Sequence, residues 1–101
     1  MSSARVHGCL VDDLVEIRRN ASKAMKQHSY VAAYEKLNVA VTNCALDLSN
    51  EERSDLYLDL AEVAAAMRSR RLCRENIKAA GKVTGNRADR AVRIEKICHV
   101  N

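Results

Sequence analysis

An all-α fold is predicted by three observations: a helix-forming inventory, apolar stripes at helical spacing, and one strong helix-start signal. Pro, Phe and Trp are absent, so nothing breaks a helix hard. The core has to be built from Leu, Val, Ile, Ala and Met. β-Branched residues are too scattered to suggest strands. The chain has 101 residues, 48% of them hydrophobic, which suits one domain: a lead-in over 1–9 and a single helical domain over 10–101. A chain this short buries a modest fraction of its surface, and pairing with a second copy is expected to help.

Leu10, Leu14, Ile17, Ala21, Ala24, His28 and Val31 keep a 4-3 spacing and mark one narrow helix face. Tyr30, Tyr34, Leu37, Val41, Cys44 and Leu48 form a second stripe, nearly opposite the first on a straight helix. A straight helix would bury opposite faces in its two halves. A turn near Gln27-His28-Ser29, with Ser29 as N-cap, resolves the conflict. Two helices are predicted, over roughly 10–27 and 30–47.

Ser49-Asn50-Glu51-Glu52 is a capping-box pattern, with Ser49 placed to cap and Glu52 placed to reach back. Glu51, Glu52 and Asp55 suit the positive end of the helix dipole. The third helix then buries Leu56, Leu60, Val63 and Met67. Around Arg68–Arg71 the apolar face shifts to Ala66, Cys73, Ile77 and Ala80. Either the helix turns there or it runs on into a second environment. Gly81 and Gly85 mark its end. A last helix, over roughly 87–99, carries Ala91, Ile94 and Cys98 inward as a C-terminal cap. The expected architecture is four to five helices in antiparallel hairpins.

Sliding the chain by 40 residues places Ala21 on Ala61, Ala24 on Ala64, Ala33 on Cys73, Leu37 on Ile77 and Ala40 on Ala80. Small residues at these offsets let helices approach closely, as in repeated helical hairpins. The stretch from Asn20 to Ala40 resembles a tetratricopeptide (TPR) repeat, with Ala21, Tyr30, Ala33, Leu37 and Ala40 at that motif's small and aromatic positions. Ala40-Val41-Thr42, Leu48-Ser49-Asn50-Glu51-Glu52-Arg53, Leu56, Val63, Arg68 and Ile77 are similar to the amino-terminal region of 14-3-3 proteins. That resemblance implies a TPR-like fold and dimerisation through these helices. It does not imply phosphopeptide binding. The family's phosphate-binding Lys and first Arg fall on Ala61 and Met67, and only the second Arg is matched, by Arg68.

The net charge is +4. The cations cluster: Arg68, Arg70, Arg71, Arg74, Lys78 and Lys82 crowd one segment, Arg18, Arg19, Lys23 and Lys26 another, and Arg90 and Arg93 a third. Acids concentrate between Asp47 and Glu62. This polarity favours an acidic partner. The first reading is a non-catalytic interaction and dimerisation module that offers its Arg/Lys face to an acidic protein surface. The alternative is a double-stranded RNA binder, laid out like the small viral silencing suppressors that are short basic helical dimers. No aromatic interleaves the arginines, so backbone and shape readout of a duplex is expected rather than base stacking. Leu58, Ala61, Ala65 and Leu72 lie outside the main core stripes and are the expected dimer face.

Residues 1–8 lack the apolar core of a signal peptide, and no apolar run approaches a bilayer span. Cys9, Cys44, Cys73 and Cys98 are far apart. Reduced thiols in cytosol or nucleus are expected, with Cys44 and Cys73 as small core residues. His7, Cys9, Cys98 and His99 are potential zinc ligands without the usual spacing, so neither metal nor cofactor is expected. No phosphate loop, nucleophile elbow or carboxylate pair is present, and His28-Ser29 suits a turn better than catalysis. No small-molecule substrate is expected.

Overall fold

A computed structural model describes residues 11–44 and 47–100. The described chain is all-α, with five helices: α1 (Val11–Lys26), α2 (Tyr30–Asn43), α3 (Asn50–Ala66), α4 (Arg70–Ala80) and α5 (Asn86–Val100). The expected lead-in over 1–9 and Leu10 lie outside the described residues. Helix α2 stops at Asn43, short of the expected 47, and Leu48 is buried in the loop ahead of α3. The third helix ends rather than running on: Met67 caps it and α4 starts afresh.

The two turns are built alike. His28 and Arg68, 40 residues apart, are the two non-glycine residues with positive φ among the described residues, 63° each. Each closes a helix in the same way. Ser29 N–H donates to the Ala24 carbonyl at 2.8 Å and His28 N–H to Met25 at 3.0 Å; Ser69 N–H donates to Ala64 at 2.9 Å and Arg68 N–H to Ala65 at 3.0 Å. This is the Schellman pattern, which satisfies helix-end carbonyls but asks for a left-handed residue. The serines differ. Ser69 Oγ accepts from Leu72 N–H at 3.3 Å, whereas Ser29 occupies the N-cap position without a side-chain cap. The α1 stripe therefore ends at Ala24: His28 is in the turn and Val31 is 60% exposed.

Helix α3 starts as its sequence dictates. Glu52 N–H donates to Ser49 Oγ at 3.1 Å, and Ser49 N–H donates to Glu52 Oε1 at 2.9 Å. It is buried on two sides. Leu56, Leu60 and Val63 join α1 and α2 in one core cluster, with Leu14, Ala33 and Leu37. Leu58, Ala61, Ala64 and Ala65 join α4 and α5 in the other, with Cys73 and Ile94. Small residues dominate that second side, so α4 comes close. Two buried polar groups lock the arrangement. Ser54 Oγ donates to the Ala80 carbonyl at 2.7 Å, and Asn76 Nδ2 donates to Tyr34 Oη and to the Leu72 carbonyl, each at 2.9 Å. Gly81, at φ 76°, ends α4 in a conformation that glycine adopts readily.

Cys73 of α4 and Cys98 of α5 form a disulfide, both fully buried, with Cα atoms 6.0 Å apart. Cys44 is likewise disulfide-bonded, and no described cysteine is free. The structure pairs these cysteines, where the sequence reading expects reduced thiols. Both residues do sit in the core as expected, but packing brings two distant cysteines face to face. No described helix is long and apolar enough to cross a membrane.

Two outcomes follow for stability in urea or heat. His28→Gly and Arg68→Gly should each stabilise by up to about 1 kcal/mol, because glycine removes the left-handed strain. Cys73→Ala with Cys98→Ala opens a 25-residue loop and should cost about 3 kcal/mol. The melting temperature then falls by roughly 10 °C or more, read by circular dichroism.

Candidate functional site

Helix α4 turns Cys73, Asn76 and Ala80 inward. At about 100° per residue, Arg70, Arg74, Lys78 and Arg71 share the opposite arc, and all four are exposed. Arg68, in the preceding turn, and Lys82, beyond Gly81, are exposed as well. Arg71 pairs with Glu75 at 3.2 Å, but both side chains are more than half exposed. Such a pair contributes little and leaves the arginine accessible. Arg70, Arg74 and Lys78 have no carboxylate partner among the described residues.

The other predicted cations divide. Arg19, Lys23, Lys26 and Arg93 are exposed. Arg18, 42% exposed, and Arg90, 22% exposed, are tied to the acids of α3. Arg18 donates to both oxygens of Asp59, from Nε at 2.6 Å and Nη2 at 3.0 Å. Arg90 Nη2 donates to Asp59 Oδ1 and to Glu62 Oε1, each at 2.6 Å. Arg87 makes a parallel pair of bonds to Asp55. Hydrogen bonding to Asp59 pushes the Arg18 pKa above its usual value. At Arg90 burial is the largest influence and opposes the cation, but the bonds to Glu62 and Asp59 outweigh it. These pairs bridge three helices: α1 and α5 both reach the acidic side of α3. The structure thus does not assemble one continuous Arg/Lys face. Arg18 and Arg90 are not available to a partner without breaking the network, and α1 packs on α2 while α4 packs on α3 and α5.

The expected dimer face is also corrected. Leu58 and Ala61 are 0% exposed and Ala65 is 4% exposed, with Leu72 half-buried. Leu58, Ala61 and Ala65 of α3 pack against α4 and α5, and Leu72 of α4 packs against the same cluster. The three α3 residues leave the first core stripe because α3 carries two.

A cleft of about 450 Å³ opens between α1 and α5 above α3. Its base comprises Ala21, Met25, Leu37 and Val63, and its walls carry Arg18, Arg19, Ser22, Asp59, Glu62 and Arg90. Sequence reasoning missed it. The available signal was Val15, an apolar residue off the α1 stripe that lines the cleft and is 48% exposed.

No cluster of three or more His, Cys, Asp or Glu is placed to hold a metal among the described residues. Cys98 is bonded to Cys73, and His7 and Cys9 lie outside the described residues. The chemistry on offer is ionic recognition on α4 and mixed apolar and ionic recognition in the cleft. No protein-family model, curated protein or solved structure matches this chain.

Asp59 is only 14% exposed and serves two arginines. Asp59→Asn should therefore destabilise by about 2 kcal/mol, less than for a fully buried pair. Arg71→Ala should stay within about 0.5 kcal/mol of the parent. Equal urea midpoints for Asp59→Asn and the parent would show that the network adds nothing to stability.

Proposed function

We propose that the protein is a non-catalytic interaction module that docks an acidic protein surface onto the exposed side of α4. The observation that carries this reading is the contrast between α3 and α4. The acids Asp55, Asp59 and Glu62 are already paired with arginines inside the fold, whereas Arg70, Arg74 and Lys78 are exposed and unpaired among the described residues. Three cations with no internal task, on one rigid helix, suit an ionic partner. The two hairpins with matching turns support reading the scaffold as TPR-like. The Cys73–Cys98 bond supports an oxidising compartment as its place of work.

An acidic protein suits the patch better than duplex RNA. From Arg70 to Lys78 the helix rises by only about 12 Å, a short footprint beside the roughly 16 base pairs that duplex-RNA domains read.

The test is fluorescence anisotropy with a labelled 20-residue poly-glutamate peptide, using the oxidised protein. Binding should weaken as salt rises. Arg70→Glu with Arg74→Glu should reduce affinity by about tenfold or more, while Lys36→Glu on α2 should change it little. An unaffected double variant would remove α4 from the site. Tighter binding of a 20-base-pair RNA duplex than of poly-glutamate, with a steep salt slope, would replace the protein reading with the RNA reading.

A further inference from the structure

The cleft above α3 offers what the α4 face lacks, an apolar floor. Ala21 and Met25 of α1, Leu37 of α2 and Val63 of α3 line it, with Val15 at its edge. Three guanidinium groups, Arg18, Arg19 and Arg90, stand against two carboxylates, Asp59 and Glu62. Arg18 and Arg90 already bond to those carboxylates. Arg19 has no acidic partner among the described residues, so the cleft keeps one uncompensated positive charge. The Ser22 hydroxyl lines the same wall.

We propose that this cleft binds an apolar monoanion, a single carboxylate carried on an aliphatic body. The carboxylate meets Arg19, with Ser22 near it, and the aliphatic part covers Val15, Met25 and Val63. Single charge follows from the balance. A second negative group would face Asp59 and Glu62, whose side chains are 14% and 50% exposed, and like charges at close range repel. The cleft of about 450 Å³ falls in the size range of ordinary ligand pockets, and an apolar floor with a few polar groups is their usual composition. The Arg18–Asp59–Arg90 network holds both walls, so the site exists before the ligand arrives.

The experiment is titration of the full, oxidised chain with octanoate, followed by amide shifts in two-dimensional NMR. Saturable shifts are expected at Val15, Arg19, Ser22 and Val63. Acetate lacks the body and 1-octanol lacks the charge, and each should bind about tenfold more weakly or worse. Arg19→Ala should weaken octanoate by about tenfold, and Ser22→Trp should block the cleft. Both positions are exposed on α1, and unchanged thermal melts confirm that the variants fold. Octanol binding as well as octanoate, or octanoate binding that ignores both substitutions, overturns the proposal. Shifts confined to Arg70–Lys78 also overturn it, while leaving the α4 docking surface standing.

Discussion

Helix α3 is asked to satisfy three sides at once. One side, Leu56, Leu60 and Val63, packs on the first hairpin; a second, Leu58, Ala61 and Ala65, packs on α4 and α5. The third carries Asp55, Asp59 and Glu62, and it is met by arginines from α1 and α5. A half-buried carboxylate without a partner is costly, so the acidic side of α3 recruits its cations from whatever helices lie over it. Once α3 is surrounded in this way, the positions of α1 and α5 are set, and so is the cleft between them.

The charge distribution at the surface is a consequence of the same constraint. A chain with a net charge of +4 that places its densest acids on its most enclosed helix must show its unpaired cations elsewhere. They appear on the outer side of α1, at Arg19, Lys23 and Lys26, and on α4, whose inner side is committed to α3 and to the disulfide with α5. The second hairpin differs from the first at the equivalent of Ala33: Cys73 stands there and is bonded to Cys98. Helix α4 packs on α3 and on α5, and the covalent link limits how far α4 and α5 can separate.

Much of the helical layout was legible in the sequence. The capping box at Ser49 acts through local backbone groups, so four residues suffice to read it. The turn at Gln27-His28-Ser29 showed as a conflict between two apolar stripes, and the end of α4 showed in Gly81. The break at Arg68 was left open because no glycine or proline marks it; a left-handed arginine is a local strain that the surrounding hairpin tolerates. The second core stripe of α3 was visible as residues but was assigned to a partner chain. A helix buried on two sides gives no single periodicity to distinguish an internal neighbour from an external one.

The candidate site divides along the same line. The sequence by itself determined the helix content, most boundaries, the repeat of 40 residues and the exposed cations of α4, because propensity, capping and periodicity act within a few residues of the chain. Only the tertiary structure decided that Arg18 and Arg90 serve Asp59, that Cys73 meets Cys98, and that Arg19 borders a cleft. Those pairs lie 25 to 41 residues apart. Distances of that kind are set by how three faces of one helix are covered, which no local rule encodes.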